Sequence, residues 1–244
     1  MEMTPGSTPS AKPVLSPTRA IGDAWNTFKA NPWISIGVGL VLCAILIVGQ
    51  MIPFVNILFL VFVAPSIYAG GAGFFLRGAR GENPSFESAF EGFQRWPSAT
   101  GVALIIGIVS ILIMLPMFLT IFGVAGILAL IQSRPGQTPD FQPAMGGVMA
   151  LAMSLTYPVL IWWSMRTSMA LFAVMEPERP GVMEALKRSW SLTGGSFWRL
   201  FGFCLLTIPV AILGVLALCV GVIPAALVIY YGWAHAYLQL RARA

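Results

Sequence analysis

Long unbroken runs of apolar residues alternate along this chain with short segments in which apolar and charged positions recur at helical spacing. The runs cover residues 33–52, 56–76, 101–122, 146–168, 197–220 and 223–240. Each is close to the roughly 20 residues that a helix needs to cross about 30 Å of hydrocarbon. Membrane β-strands would instead be about ten residues long and alternate in polarity, and the run over 34–48 has no such alternation.

The short segments read as amphipathic helices lying before pairs of runs. In the first, Ser16-Pro17 supplies a cap and a proline for the first turn, and Ile21, Ala24, Trp25 and Phe28 share a face. It ends at Asn31-Pro32, because the residue before a proline is pushed out of the helical region. The second opens on Asn83-Pro84 and turns Phe86, Ala89, Phe90 and Phe93 to one side. In the third, Val182, Met183, Leu186 and Trp190 oppose Glu184, Lys187 and Arg188. Gly194 and Gly195 then let the chain leave in a left-handed or otherwise open conformation, and Trp198 with Arg199 sits where an interfacial anchor belongs.

Aligned on Ala24, Ala89 and Ala185, the three segments place Ile21, Phe86 and Val182 in one column and Trp25, Phe90 and Leu186 in another. A third column holds Phe28, Phe93 and Ser189, and each segment leads into two runs, which suggests a threefold repeat. The expected fold is all-α: six transmembrane helices arranged as three hairpins, each preceded by a short amphipathic surface helix. They form one membrane domain over 18–244. Residues 1–17, with four prolines among Ser, Thr and Gly, read as a disordered tail. A straight helix over 101–132 would be roughly 48 Å long and overshoot the bilayer, so a break is expected at Pro116 or at Gly123 and Gly126.

Charge then gives direction. Only 9% of the residues are charged, against about 25% in soluble domains. With six spans, thirteen of the fourteen basic residues fall on one side and only Arg134 on the other. The positive-inside rule puts both termini in the cytoplasm of a multi-pass protein of the cell (inner) membrane. The net charge of +5 is therefore read as orientation and not as affinity for nucleic acid. About thirty polar or mixed residues precede the first run, so no cleavable signal peptide is expected.

Candidate chemistry is sparse. Cys43, Cys204 and Cys219 lie inside apolar runs, where thiols pack as small hydrophobes. Every carboxylate lies outside the runs, which argues against a proton-coupled pump. His235 is the single histidine, a proton-relay candidate more simply read as a neutral group bonded to its surroundings. No cofactor, metal site or catalytic set is expected, and an enzyme is disfavoured. The candidates for contact with membrane lipids, anionic ones included, or with a partner protein are Trp25, Phe90, Leu186, Lys187, Arg188, Trp190, Trp198 and Arg199. The reading is a non-catalytic integral membrane protein whose cytosolic helices engage lipid or a partner; a passive or gated transport protein with a path between the hairpins is the alternative.

The stretch Ala185-Leu186-Lys187-Arg188-Ser189-Trp190-Ser191-Leu192-Thr193-Gly194, followed by Trp198-Arg199-Leu200, carries a resemblance. It resembles the signature of an uncharacterised family of prokaryotic six-span membrane proteins, similar to the membrane domain attached to some glycerophosphoryl diester phosphodiesterases. The segment from Ala24 to Asn31, Gly92-Phe93, and Gly221 with Pro224 and Tyr237 resemble other parts of it, so the likeness covers most of 19–240. The resemblance implies the six-span fold. It does not imply the phosphodiesterase activity, which in those proteins belongs to a separate soluble domain.

Overall fold

The structure, a computed structural model, describes residues 15–52, 55–132, 142–217 and 221–243. The expected tail lies outside these residues up to position 14; Leu15, which the sequence assigns to it, is buried in the core. Every regular element among the described residues is helical. In order they are α1 (Pro17–Ala30), α2 (Pro32–Met51), and α3 (Val55–Leu58), which continues through a π-turn (Phe59–Val63) into α4 (Ala64–Ala79). A 3-10 helix (Phe86–Arg95) follows, then α5 (Trp96–Gln132), α6 (Gln142–Thr167), α7 (Ala170–Val174), α8 (Val182–Thr193), α9 (Phe197–Leu216) and α10 (Val222–Arg241).

Five stretches are long and apolar enough to cross a membrane: Pro32–Met51, Asn56–Ala79, Phe86–Ile127, Gly146–Val174 and Phe197–Leu216. This is an all-helical membrane protein. The helix α10 is as long as α9 but is not among the five. Its apolar residues are interrupted by Tyr230, Tyr231, Trp233, His235, Tyr237 and Gln239, and the reason lies in where it packs.

α10 is the interior helix, set against α1, α2, α4 and α9. Tyr231, His235 and Gln239, spaced by four, form one polar line along it. The Tyr231 hydroxyl bonds the Ser35 hydroxyl at 2.9 Å, His235 Nε2 lies 2.8 Å from the Thr27 hydroxyl, and Gln239 Oε1 accepts from the Ser16 N–H at 3.0 Å. Thr27 gives its single proton to the Asp23 carbonyl at 2.9 Å, so His235 is the donor in their bond. The opposite sides of α10 carry rings: Tyr231 edge-on to Phe75, Tyr237 stacked on Phe172, and Trp233 edge-on to Phe203. A helix surrounded by protein needs partners for its side chains, not lipid solubility.

α4 is also interior. Of the most apolar part of Asn56–Ala79, to which α4 belongs, 56% is buried, against 11% for that of Phe86–Ile127 and of Gly146–Val174. The pair α5 and α6 therefore packs on the outside and presents Ile111, Leu119, Phe122, Leu151 and Leu155 outward. The small residues of α4 do bring backbones together, as their type predicts, but the partner is a surface segment. A Cβ on Gly70 would overlap the Ala89 carbonyl oxygen, and one on Gly92 would overlap the Ser66 carbonyl oxygen. The 3-10 helix is thus pressed backbone to backbone against α4.

Several local expectations are corrected. The segment over 101–132 does not break, since α5 runs unbroken through Pro116. A proline frees one carbonyl, whereas leaving the helix inside an apolar run would strand several polar backbone groups. Ser16 precedes α1 but makes no side-chain cap bond. The second surface segment winds as a 3-10 helix starting at Phe86, so Ser88, Ala89 and Gly92 are buried while Phe86 and Phe93 face out. In α8 the buried line is Ala185, Ser189 and Leu192, and Met183 is 60% exposed. Of the two exits the sequence allows at Gly194, the chain takes the open one, with a φ of −61°, and not the left-handed one.

Candidate functional site

The turn after α7 gathers charge. Met175 and Glu176 close the helix with N–H bonds to the carbonyls of Phe172 and Ala173. Pro177, which lacks an N–H, prevents its continuation. Glu176 is thereby left at the foot of a long apolar run with its side chain wholly buried, 0% exposed. Its Oε2 accepts from Arg80 of α4 at 2.7 Å and from Arg241 of α10 at 2.8 Å. Charged side chains from five segments are tied to this point.

Arg95, the last residue of the 3-10 helix, donates through Nη1 to the carbonyls of Val174 (2.7 Å) and Glu176. A cation over the last carbonyls of a helix is favourably placed. Arg77 pairs with Glu91 at 2.6 Å, which fastens the same 3-10 helix to α4. Glu178 accepts from Arg188 at 3.1 Å and from Arg241 at 3.2 Å, and Arg188 also reaches Glu184 at 3.6 Å. Arg243 donates to the Ser196 hydroxyl at 2.7 Å. The ends of α4, α7 and α10, and the starts of α5, α8 and α9, are thus brought to one end of the bundle.

Arg77, Arg80, Arg95 and Arg179, with Glu82 and Glu91, line a cleft of about 370 Å³ at this end, floored by Gly73, Leu76 and Met175. Arg95 is held below the ordinary arginine value, first by burial and then by the neighbouring charge of Arg179. Arg179 itself has a φ of 51°, a conformation that L-residues other than Gly, Asn and Asp seldom adopt.

The Glu178 carboxyl is held below its ordinary value, chiefly by the hydrogen bond from Arg188. A depressed carboxyl contributes stability above its unfolded pKa and loses it as pH falls through the lower folded value. Arg188→Gln is therefore expected to narrow its small stability deficit relative to the unsubstituted protein as pH drops below about 4. Thermal midpoints measured in detergent across an acid series check this; a constant deficit contradicts it.

The eight residues singled out in the sequence do not converge on one site among the described residues. Trp25 is exposed, with the Lys29 ammonium 5.8 Å over its ring. Phe90 and Leu186 are half-buried against the core, and Lys187 and Arg199 are exposed. Arg188 is held by Glu178 and Glu184. Trp198 is 77% exposed and touches Phe197 and Phe201. Trp190 meets Trp162 edge-on at 5.4 Å, and the Arg166 guanidinium lies 5.6 Å from the Trp162 ring and 5.3 Å from the Trp190 ring. The Arg166 guanidinium is thus held between two rings.

Sequence reasoning missed the cluster itself. Arg77, Arg80, Arg95, Glu176 and Arg241 were counted only as charges flanking spans. One signal was available: Glu176 follows directly on an apolar run, where a carboxylate has to find cations. Among the described residues no group of three or more His, Cys, Asp or Glu is placed to hold a metal. No protein-family model, no curated protein and no solved structure matches the chain.

Proposed function

We propose that the protein is a non-catalytic, six-span integral membrane protein of the cell (inner) membrane with both termini cytoplasmic, whose charged end engages anionic lipid. α10 supplies the sixth span, shielded from lipid by its neighbours. The observation that carries the reading is the segregation of groups in the bundle. Arginines and carboxylates from five segments collect at one end, Trp25 and Trp198 stand exposed on the flanking helices, and apolar side chains cover α2, α5, α6 and α9. Such a surface lets aromatic rings sit at headgroup depth while cations face phosphate. The likeness of residues 185–200 to a six-span family is in keeping with it.

Lys187 and Arg199 are the exposed cations of the third surface segment, and neither makes an ion pair among the described residues. Each cation near an anionic leaflet contributes about 1 kcal/mol. Lys187→Gln combined with Arg199→Gln is expected to lower the phosphatidylglycerol retained, relative to phosphatidylcholine, several-fold when the protein is extracted from nanodiscs containing both. Unchanged retention, read by mass spectrometry of the extracted lipid, refutes the lipid-engaging role.

A further inference from the structure

We infer that the arginine-lined cleft between α4, the 3-10 helix and the turn after α7 is a binding site for a phosphate group, either free in solution as phosphate or a small phosphate ester, or as the headgroup of a phospholipid. The inference rests on the chain being a membrane protein with this end at the interface, but not on Lys187 or Arg199.

The cleft holds more positive charge than the protein neutralises. Of its four guanidinium groups, Arg77 is paired with Glu91, and Arg80 with Glu176, which Arg241 shares. Arg95 spends its described hydrogen bonds on two backbone carbonyls, which carry no net charge. Arg179 makes no side-chain hydrogen bond or ion pair among the described residues, and neither does Glu82, the remaining carboxylate of the lining. Two unpaired guanidiniums therefore stand against one unpaired carboxylate, close enough that the charge of Arg179 disfavours that of Arg95. Like charges crowded in a recess are relieved by an anion between them.

The shape narrows the class of anion. A volume of about 370 Å³ is at the small end of ligand sites and exceeds what a halide needs. Guanidinium forks match the paired oxygens of a phosphate, and a phosphate monoester brings up to two charges. Gly73, Leu76, Met175 and Pro177 are the apolar members of the lining, beside the basic side chains. A phosphate ester, with its anionic head and carbon-bearing body, fits that lining. Arg179 also occupies a costly backbone conformation while its side chain is exposed and lines this cleft.

The test uses the full chain purified in detergent. Inorganic phosphate and glycerol 3-phosphate are titrated at constant ionic strength against chloride, with binding read by calorimetry and by thermal midpoint. In parallel, lipid retained from nanodiscs of phosphatidylcholine with phosphatidylglycerol is measured with and without 10 mM-scale soluble phosphate, on the order of concentrations at which one or two charged contacts hold a small ion. Arg179→Gly removes the cation and lets the backbone keep its positive φ without strain, so it is expected to fold at least as well as the parent. It should weaken phosphate binding, phosphatidylglycerol retention, or both about tenfold. Retention lost in Arg179→Gly but insensitive to soluble phosphate assigns a lipid headgroup; soluble-ester binding that the same variant abolishes assigns a free metabolite. Either result supports the site. Phosphate indistinguishable from chloride together with retention unchanged in Arg179→Gly overturns it, whatever Lys187→Gln with Arg199→Gln does to lipid retention.

Discussion

Glu176→Ala is expected to destabilise the protein by about 3–5 kcal/mol, enough to broaden or abolish its monodisperse peak after mild heating in detergent. The carboxylate is wholly buried and accepts from Arg80 at 2.7 Å and Arg241 at 2.8 Å. Its removal strands Arg80, leaves Arg241 only its longer bond to Glu178, and unties α10 from α4. Arg80 is mostly buried and Arg241 partly exposed, so water screens one partner better than the other and the lower part of the range applies. Glu178→Gln is the matched comparison, because that carboxylate is half exposed and holds Arg188 and Arg241 at 3.1 and 3.2 Å. It is expected to lose far less than Glu176→Ala, because water screens an exposed pair. Fluorescence-detected size exclusion after a temperature series ranks the two; equal losses contradict the central role of Glu176. Replacing Glu176, Arg80 and Arg241 together with Met should recover part of the deficit, since no charge is then left unpaired.

The legibility of this fold in its sequence divides along physical lines. Hydropathy averages over a whole helix and does not depend on which neighbour it meets, so the runs beginning near Trp33, Asn56 and Phe197 correspond to helices Pro32–Met51, Asn56–Ala79 and Phe197–Leu216. The boundary between α1 and α2 at Asn31 was readable because proline acts locally. Faces were readable only in part: Ala24, on the apolar face of the first segment, is buried, while Trp25, Trp190 and Met183 are exposed and the third segment buries Ala185 and Ser189. Small residues win there because packing between membrane helices rewards close approach and not apolar area. The three alanines used to align the repeat are all buried, but Ala89 sits on a 3-10 helix and the other two on α-helices, so the second unit is wound differently. Tyr231, His235 and Gln239 stand four residues apart in the sequence, but what they face, Ser35, Thr27 and the Ser16 amide, lies some two hundred residues away. The arginine cleft was harder still, since α4, the 3-10 helix and the turn after α7 meet only in the folded chain.

Gly92→Ala and Gly70→Ala carry the other large expected effect, a loss of about 3 kcal/mol each. A methyl group at Gly70 would collide with the carbonyl of Ala89, and one at Gly92 with the carbonyl of Ser66 and the backbone of Gly70. In both cases the obstacle is main chain fixed by its own helix, so it cannot swing aside as a side-chain tip can. At Gly73 the obstacle is the Met175 methyl, 2.6 Å from the added carbon, and at Gly39 it is a Leu227 methyl at 2.7 Å. Flexible ends can retreat, so alanine there should cost less. Gly107 and Gly202 have open space, and alanine should be neutral or add up to about 1 kcal/mol through helix propensity. Because Gly70 and Gly92 share one contact, the double variant should lose less than the sum of the two. Lifting the 3-10 helix off α4 also draws Glu91 from Arg77 and Arg95 from the carbonyls of Val174 and Glu176. The ranking by thermal midpoint, with Gly70 and Gly92 lowest, Gly73 and Gly39 between, and Gly107 and Gly202 at or above the parent, checks the close approach. A Gly92→Ala protein as stable as Gly107→Ala would mean that the surface segment does not lie against α4, and the cleft beside it would lose one of its walls.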